Sequence, residues 1–120
     1  MKKVLIVDDS FLIRQTLKKL LPACGDIEIV GECSDGNQVM DFLYNNWVDT
    51  IILDYHMQNM NGAQTAKKVK ESFNHIHIIL HTSDGEMAYT TDHVDDVIKK
   101  PAKFFELAQM VKQEMMVSSR

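Results

Sequence analysis

The sequence is poor in the residues that announce a specialised chemistry. It holds 2 cysteines, Cys24 and Cys33, without CxxC spacing. They read as small buried hydrophobes in a reducing compartment, not as a disulfide or a thiolate metal site. Proline and glycine are scarce, at 2 and 5 residues. We find no repeat, no low-complexity stretch and no linker, so residues 1–120 are expected to form one domain. No apolar run approaches the roughly 20 residues a membrane helix needs. Met1-Lys2-Lys3 leads into only four apolar residues, Val4 to Val7. That is too short for a signal-peptide core, so a cytoplasmic location is expected. Positive charge is in deficit: 13 Lys and Arg against 17 Asp and Glu, a net charge of -4. Direct nucleic-acid binding by this domain is not expected, because it runs on clustered cations. A GxGxxG turn after the first apolar run is missing too, which argues against a dinucleotide site.

What the sequence does have is alternation. Short apolar runs at Lys3–Val7, Ile27–Cys33, Thr50–Leu53, Ile76–Leu80 and Val94–Ile98 read as strands. Between and after them lie amphipathic stretches. Phe11–Leu21 carries Leu12, Ile13, Leu17, Leu20 and Leu21, and Pro22 and Gly25 punctuate it. Val39, Met40, Phe42 and Leu43 give a second face, and Ala63–Phe73 a third. Phe104–Val117 closes the chain, with Phe104, Leu107, Ala108, Val111 and Met115 on one side. Strand–helix alternation predicts an α/β fold with a parallel sheet buried on both faces.

In such sheets ligands sit beyond the carboxyl ends of the strands. Those ends carry Asp8 and Asp9, then Asp54, then Thr82 and Ser83, then Lys99 and Lys100 before Pro101. Clustered carboxylates repel one another unless a cation neutralises them. Oxygen-only ligands suit Mg²⁺. An ammonium and a hydroxyl are donors, suited to an anion beside the cation. This is the donor set of a phosphoryl-transfer site. Asp54 is the best acceptor, since a carboxylate can form an acyl phosphate. Singly, each residue has a blander reading: Asp9 or Ser10 could cap a helix and Asp54 could serve a turn. The 5 histidines include His75, His77 and His81 at period two, with no carboxylate or cysteine sharing their spacing. They read as structural, as does Trp47, which is expected to pack.

Four segments together resemble the receiver domain of two-component response regulators, the CheY-like family. "VLIVDDSFLIR" is similar to its acidic pair and first helix. "IILDYHMQNMNG" is similar to its acceptor segment, "ILHTS" to its switch strand and "VIKKP" to its Lys-Pro strand. The resemblance implies a flavodoxin-like (βα)5 sheet of order 2-1-3-4-5, the order known for CheY itself. It implies a phosphorylation-activated switch in which Asp54 takes a phosphoryl group from a phosphohistidine. The donor would be a sensor histidine kinase or a histidine phosphotransfer protein. Asp9, Asp54 and the backbone carbonyl of His56 would hold Mg²⁺, with Asp8 contributing directly or through water. Thr82 and Lys100 would bind the phosphoryl group, Gly62 would lie in the loop after Asp54, and the Lys100–Pro101 bond would be cis. His56, Ser83 and Asp84 would modulate hydrolysis by water, a weak autophosphatase activity and not an enzymatic function in the metabolic sense. The signal would pass to a downstream protein or to a second copy of the chain.

The chain departs from the family pattern in places. Gln58 replaces a proline, so a looser acceptor loop is expected. Asn61 replaces an aspartate, and Val97 stands where an aromatic is usual. The stretch from Thr82 to Lys100 is short, and a shortened or irregular helix is expected over Asp84–Asp95. An alternative reading is a pseudo-receiver, the same fold used for phosphorylation-independent docking or dimerisation.

Overall fold

The computed structural model describes residues 1–83 and 92–113. Its elements run β1 (Lys2–Val7), α1 (Phe11–Ala23), β2 (Ile27–Cys33), a 3-10 turn (Gly36–Gln38), α2 (Val39–Asn45), β3 (Thr50–Leu53), α3 (Gly62–Ser72), β4 (His77–Thr82), β5 (Asp96–Lys99) and α4 (Phe104–Lys112). The strands form one parallel sheet in the order β2-β1-β3-β4-β5. Val7 lies beside Leu53, Leu53 beside Leu80 and Thr82 beside Lys99, so the strand ends come level along one edge. The expected crossover helix falls mostly on residues 84–91, outside the described residues. Residues 92–95 make a turn into β5.

Side chains alternate across the strands and separate two cores. Leu5, Val7, Ile51, Leu53, Ile78 and Leu80 face one side, packed with Val39, Leu43, Ala66 and Val69. Val4, Ile6, Ile52 and Ile79 face the other, packed with Leu17, Leu21, Leu107, Ala108 and Val111. Burying each such side chain contributes about 1.5–3 kcal/mol. That rigid slab fixes the strand ends. Among the described residues no helix is long and apolar enough to cross a membrane.

Local chemistry sets the helix starts. Ser10 caps α1, its hydroxyl accepting from the Ile13 N–H at 3.3 Å. Asn61 caps α3 in a reciprocal box. Its side-chain oxygen accepts from the Gln64 N–H at 2.9 Å, and Gln64 Oε1 accepts from the Asn61 N–H at 3.0 Å. The departure at Asn61 therefore leaves the cap intact, because asparagine and aspartate serve equally there.

Two expectations need correction. Pro22 does not end α1; the helix continues to Ala23 and closes with Cys24 and Gly25 N–H groups donating to Leu21 and Pro22 carbonyls. Phe104 does not face the core. It is 42% exposed, since α4 begins there and only Leu107, Ala108 and Val111 are buried. Trp47 does pack as expected, though at the surface, where it is 60% exposed. Its indole stacks on His75 at 4.5 Å and donates to Asp49.

Candidate functional site

The backbone ladder brings the acidic residues together before any side chain acts. The Asp8 N–H donates to the Cys33 carbonyl at 3.0 Å, and the Asp54 N–H donates to the Val7 carbonyl at 2.9 Å. Asp8, Asp9 and Asp54 each then offer a carboxylate oxygen within 4.8 Å of the others. Asp8 and Asp54 are buried, whereas Asp9 is open to solvent. From the far side, the Lys100 ammonium reaches Asp8 Oδ2 at 2.8 Å and Asp54 Oδ1 at 3.3 Å. The Lys100–Pro101 peptide is cis. The Lys100 N–H donates to the Thr82 carbonyl at 2.9 Å, and Thr82 itself is buried at the end of β4. Of the residues singled out from sequence, Asp8, Asp9, Asp54 and Lys100 are thus gathered, with Thr82 on the neighbouring strand end. His56 is exposed in the loop after Asp54, its ring edge-on to Tyr55, and Ser83 is exposed past Thr82. Asp84 lies outside the described residues.

The Asp54 charge is held against its preference. Burial pushes the Asp54 carboxyl above the usual range, the Asp8 charge adds to this, and Lys100 only partly opposes it. Burial alone would lower Lys100. The hydrogen bond and charge of Asp8, followed by those of Asp54, outweigh it and hold the ammonium up. An all-oxygen cluster of this spacing fits a hard divalent cation.

The loop after Asp54 is better tied than Gln58 suggests. Asp35, buried in the turn after β2, accepts from the Asn59 N–H at 2.8 Å, the Met60 N–H at 3.0 Å and the Asn37 N–H at 3.2 Å. Burial would raise this carboxyl, but those donors offset it and hold it below the usual range. At the far end of the loop the Gly62 N–H donates to the Tyr55 carbonyl at 2.7 Å. A Cβ at Gly62 would lie 2.6 Å from the Asp54 carbonyl oxygen, so no larger residue fits without moving the backbone at Asp54.

Sequence reasoning missed Asp35 and Arg14. Asp35-Gly36 is a turn pair in sequence, and the loop partners of Asp35 lie 24 and 25 residues away. His81 is buried with neither ring nitrogen hydrogen-bonded, and burial, then the Lys100 charge, lowers its pKa to about 4. The other histidines form no metal group: His77 pairs with Asp96 and His75 stacks on Trp47. Among the described residues, the only cluster of metal-ligating side chains is Asp8, Asp9 and Asp54. Both cysteines are free, and burial raises the Cys33 thiol to about 11, far from reactive.

A five-stranded sheet of this order, with an acidic triad facing a lysine across the strand ends, defines the receiver class. The chain belongs to the response regulator receiver domain family, whose profile matches residues 4–112. It is 37% identical over 114 residues to a protein-glutamate methylesterase/protein-glutamine glutaminase of Clostridium acetobutylicum, covering 90% of this chain and 33% of that protein. It is 32% identical over 113 residues to protein MrkE of Klebsiella pneumoniae, covering 92% and 42%. The crystal structure of the MrkE response regulatory domain matches with a TM-score of 0.83 at 31% identity, over 96% of each chain. Response regulator protein TrrA of Thermotoga maritima, solved in complex with Mg(2+)-BeF, matches with a TM-score of 0.81 at 29% identity, over 94% of this chain and 98% of that one. The chain spans about a third to a half of the length of the curated relatives it matches.

Proposed function

We propose that this domain is a phosphorylation-activated switch of a two-component relay, with Asp54 as the phosphoacceptor. The observation that carries this reading is the buried Asp54 carboxylate, crowded by Asp8 and Asp9 and contacted by Lys100. Asp9, Asp54 and the carbonyl of His56 would hold Mg²⁺, with Asp8 directly or through water. When bound, the cation supplies positive charge that neutralises the carboxylates and the incoming phosphoryl oxygens.

The residues of the chain divide the remaining work. An Asp54 carboxylate oxygen attacks the phosphorus of a phosphohistidine on a kinase or phosphotransfer protein. The P–N bond breaks, and its electron pair stays on the histidine nitrogen. Lys100 shifts its ammonium toward the transferred oxygens, and the Thr82 hydroxyl donates to one of them. Water later cleaves the acyl phosphate and returns Asp54 to the carboxylate. His56, Ser83 and Asp84 set the approach of that water. The signal leaves through a protein partner or a second copy, without contact of this domain with nucleic acid. The complex of TrrA with Mg(2+)-BeF, a phosphoryl mimic, supports the reading by similarity. A pseudo-receiver would have no need of this carboxylate–lysine arrangement.

Intact-mass measurement after incubation with phosphoramidate and Mg²⁺ tests the proposal. One phosphoryl adduct on the wild type and none on Asp54→Asn is expected. An unmodified wild type, or an equally modified variant, would overturn it.

A further inference from the structure

Asp9 is the most exposed of the three carboxylates, yet a metal ligand must be held in place to bind well. Its position depends on the Asp8–Asp9 peptide. One face of Asp8 is fixed by the sheet, through its N–H on the Cys33 carbonyl. The other is fixed by a side chain. Arg14, one turn into α1, donates from Nη1 to the Asp8 carbonyl oxygen at 2.7 Å. The same guanidinium donates from Nε to Glu32 Oε1 at 2.7 Å, and its side chain is 13% exposed. Glu32 sits on β2 beside Ile6 of β1 and is itself locked by Lys18 at 2.6 Å and Gln15 at 3.2 Å. The Lys18 and Arg14 hydrogen bonds hold the Glu32 carboxyl below its usual range, so it stays an anion. The Ser10 N–H completes the turn by donating to Asp8 Oδ1 at 2.9 Å.

We infer that Arg14 is a positioning residue for the cation site: anchored on Glu32, it orients the Asp8–Asp9 peptide and thereby presents the Asp9 carboxylate. Its planar fork makes this possible, since two donors leave one rigid group in fixed directions. A lysine has a single ammonium at the end of a flexible stem and cannot reproduce both bonds in that geometry. This inference rests on the proposed function, in which Asp9 ligates Mg²⁺.

The sign of the effect separates positioning from simple charge. Arg14 is a cation near a cation site. Removing it should tighten Mg²⁺ binding if only Coulomb repulsion matters. Positioning demands the reverse. Calorimetric titration of the full chain with Mg²⁺ at neutral pH reads the difference, and thermal melts without Mg²⁺ confirm that each variant is folded. Arg14→Ala is expected to weaken binding about tenfold, the lower end of what outer ligand partners contribute. Arg14→Lys keeps the charge and is expected to weaken it too. Lys18→Ala, which touches Glu32 but not Asp8, is expected to bind within about twofold of wild type, a surface charge being largely screened. Equal or tighter binding by Arg14→Ala, or full rescue by Arg14→Lys, overturns the inference while leaving the cation site standing. If Arg14→Ala does not fold, Arg14→Lys decides alone. Failure of the wild type to bind Mg²⁺ overturns the functional reading itself and this inference with it.

Discussion

The two ends of the sheet hold charge in opposite ways. At the amino end, acids meet donors. Asp95 Oδ2 accepts from Lys70 and from the Ile78 N–H, at 2.7 and 2.8 Å. Asp49 accepts from the Lys3 N–H and the Trp47 indole, which outweigh burial and hold its carboxyl low. His77 meets Asp96. At the carboxyl end, acids crowd acids: Asp54 is pushed above its usual range despite Lys100, and the imidazole of His81, one residue before β4 ends at Thr82, has no hydrogen-bond partner. The lesson is one of division of labour. Charges satisfied within the fold stabilise it, while charges left dissatisfied are available to a ligand.

The largest test of this contrast is acid titration. His81 is held neutral, with its pKa lowered from 6.5 to about 4. The unfolded chain takes up that proton first. Stability from this group is therefore complete above about pH 6.5 and is lost as pH falls toward 4, by roughly 3 kcal/mol. Urea unfolding across that range reads it, and His81→Leu is expected to flatten that part of the curve. An unchanged slope in the variant would mean that the imidazole is not the group responsible. Next in size is Asp35→Ala, which strands the Asn59, Met60 and Asn37 N–H donors and is expected to lower stability by about 2 kcal/mol. Faster hydrogen exchange at Asn59 and Met60 should accompany it; unchanged exchange would show the loop is held elsewhere. Smallest is Asp95→Asn at the amino end, expected to cost about 1 kcal/mol with Mg²⁺ affinity unchanged. A parallel loss of Mg²⁺ binding would erase the distinction between the two ends.

Much of this arrangement was legible in the residues. Buried parallel strands are local apolar runs, and the polar residue that stops each run marks a strand end. Asp8, Asp54, Thr82 and Lys100 could therefore be placed on one edge. What escaped was tertiary. Pro22 stays helical because it lies in the last turn, where the chain closes by tighter bonds. Phe104 follows helical spacing but starts its helix at the rim, where there is no core to enter. Gln58 pointed to a loose loop because the compensation, Asp35, comes from another turn. Arg14 drew no separate reading, since Glu32, 18 residues away, becomes its neighbour only when β2 pairs with β1.

The central claim is that the carboxyl-end acids are mutually unfavourable until a cation joins them. The raised Asp54 carboxyl means that its share of stability is present below the unfolded pKa and lost as pH rises through the folded value. Above that folded value the metal-free chain carries the penalty. Thermal melts of wild type and Asp54→Asn, with and without Mg²⁺, test this directly. The account predicts that the variant melts a few degrees higher without Mg²⁺, as about 1 kcal/mol would give at this size, and that Mg²⁺ raises the wild type toward or past it. A variant that melts lower in the absence of metal, with a wild type indifferent to Mg²⁺, would contradict it.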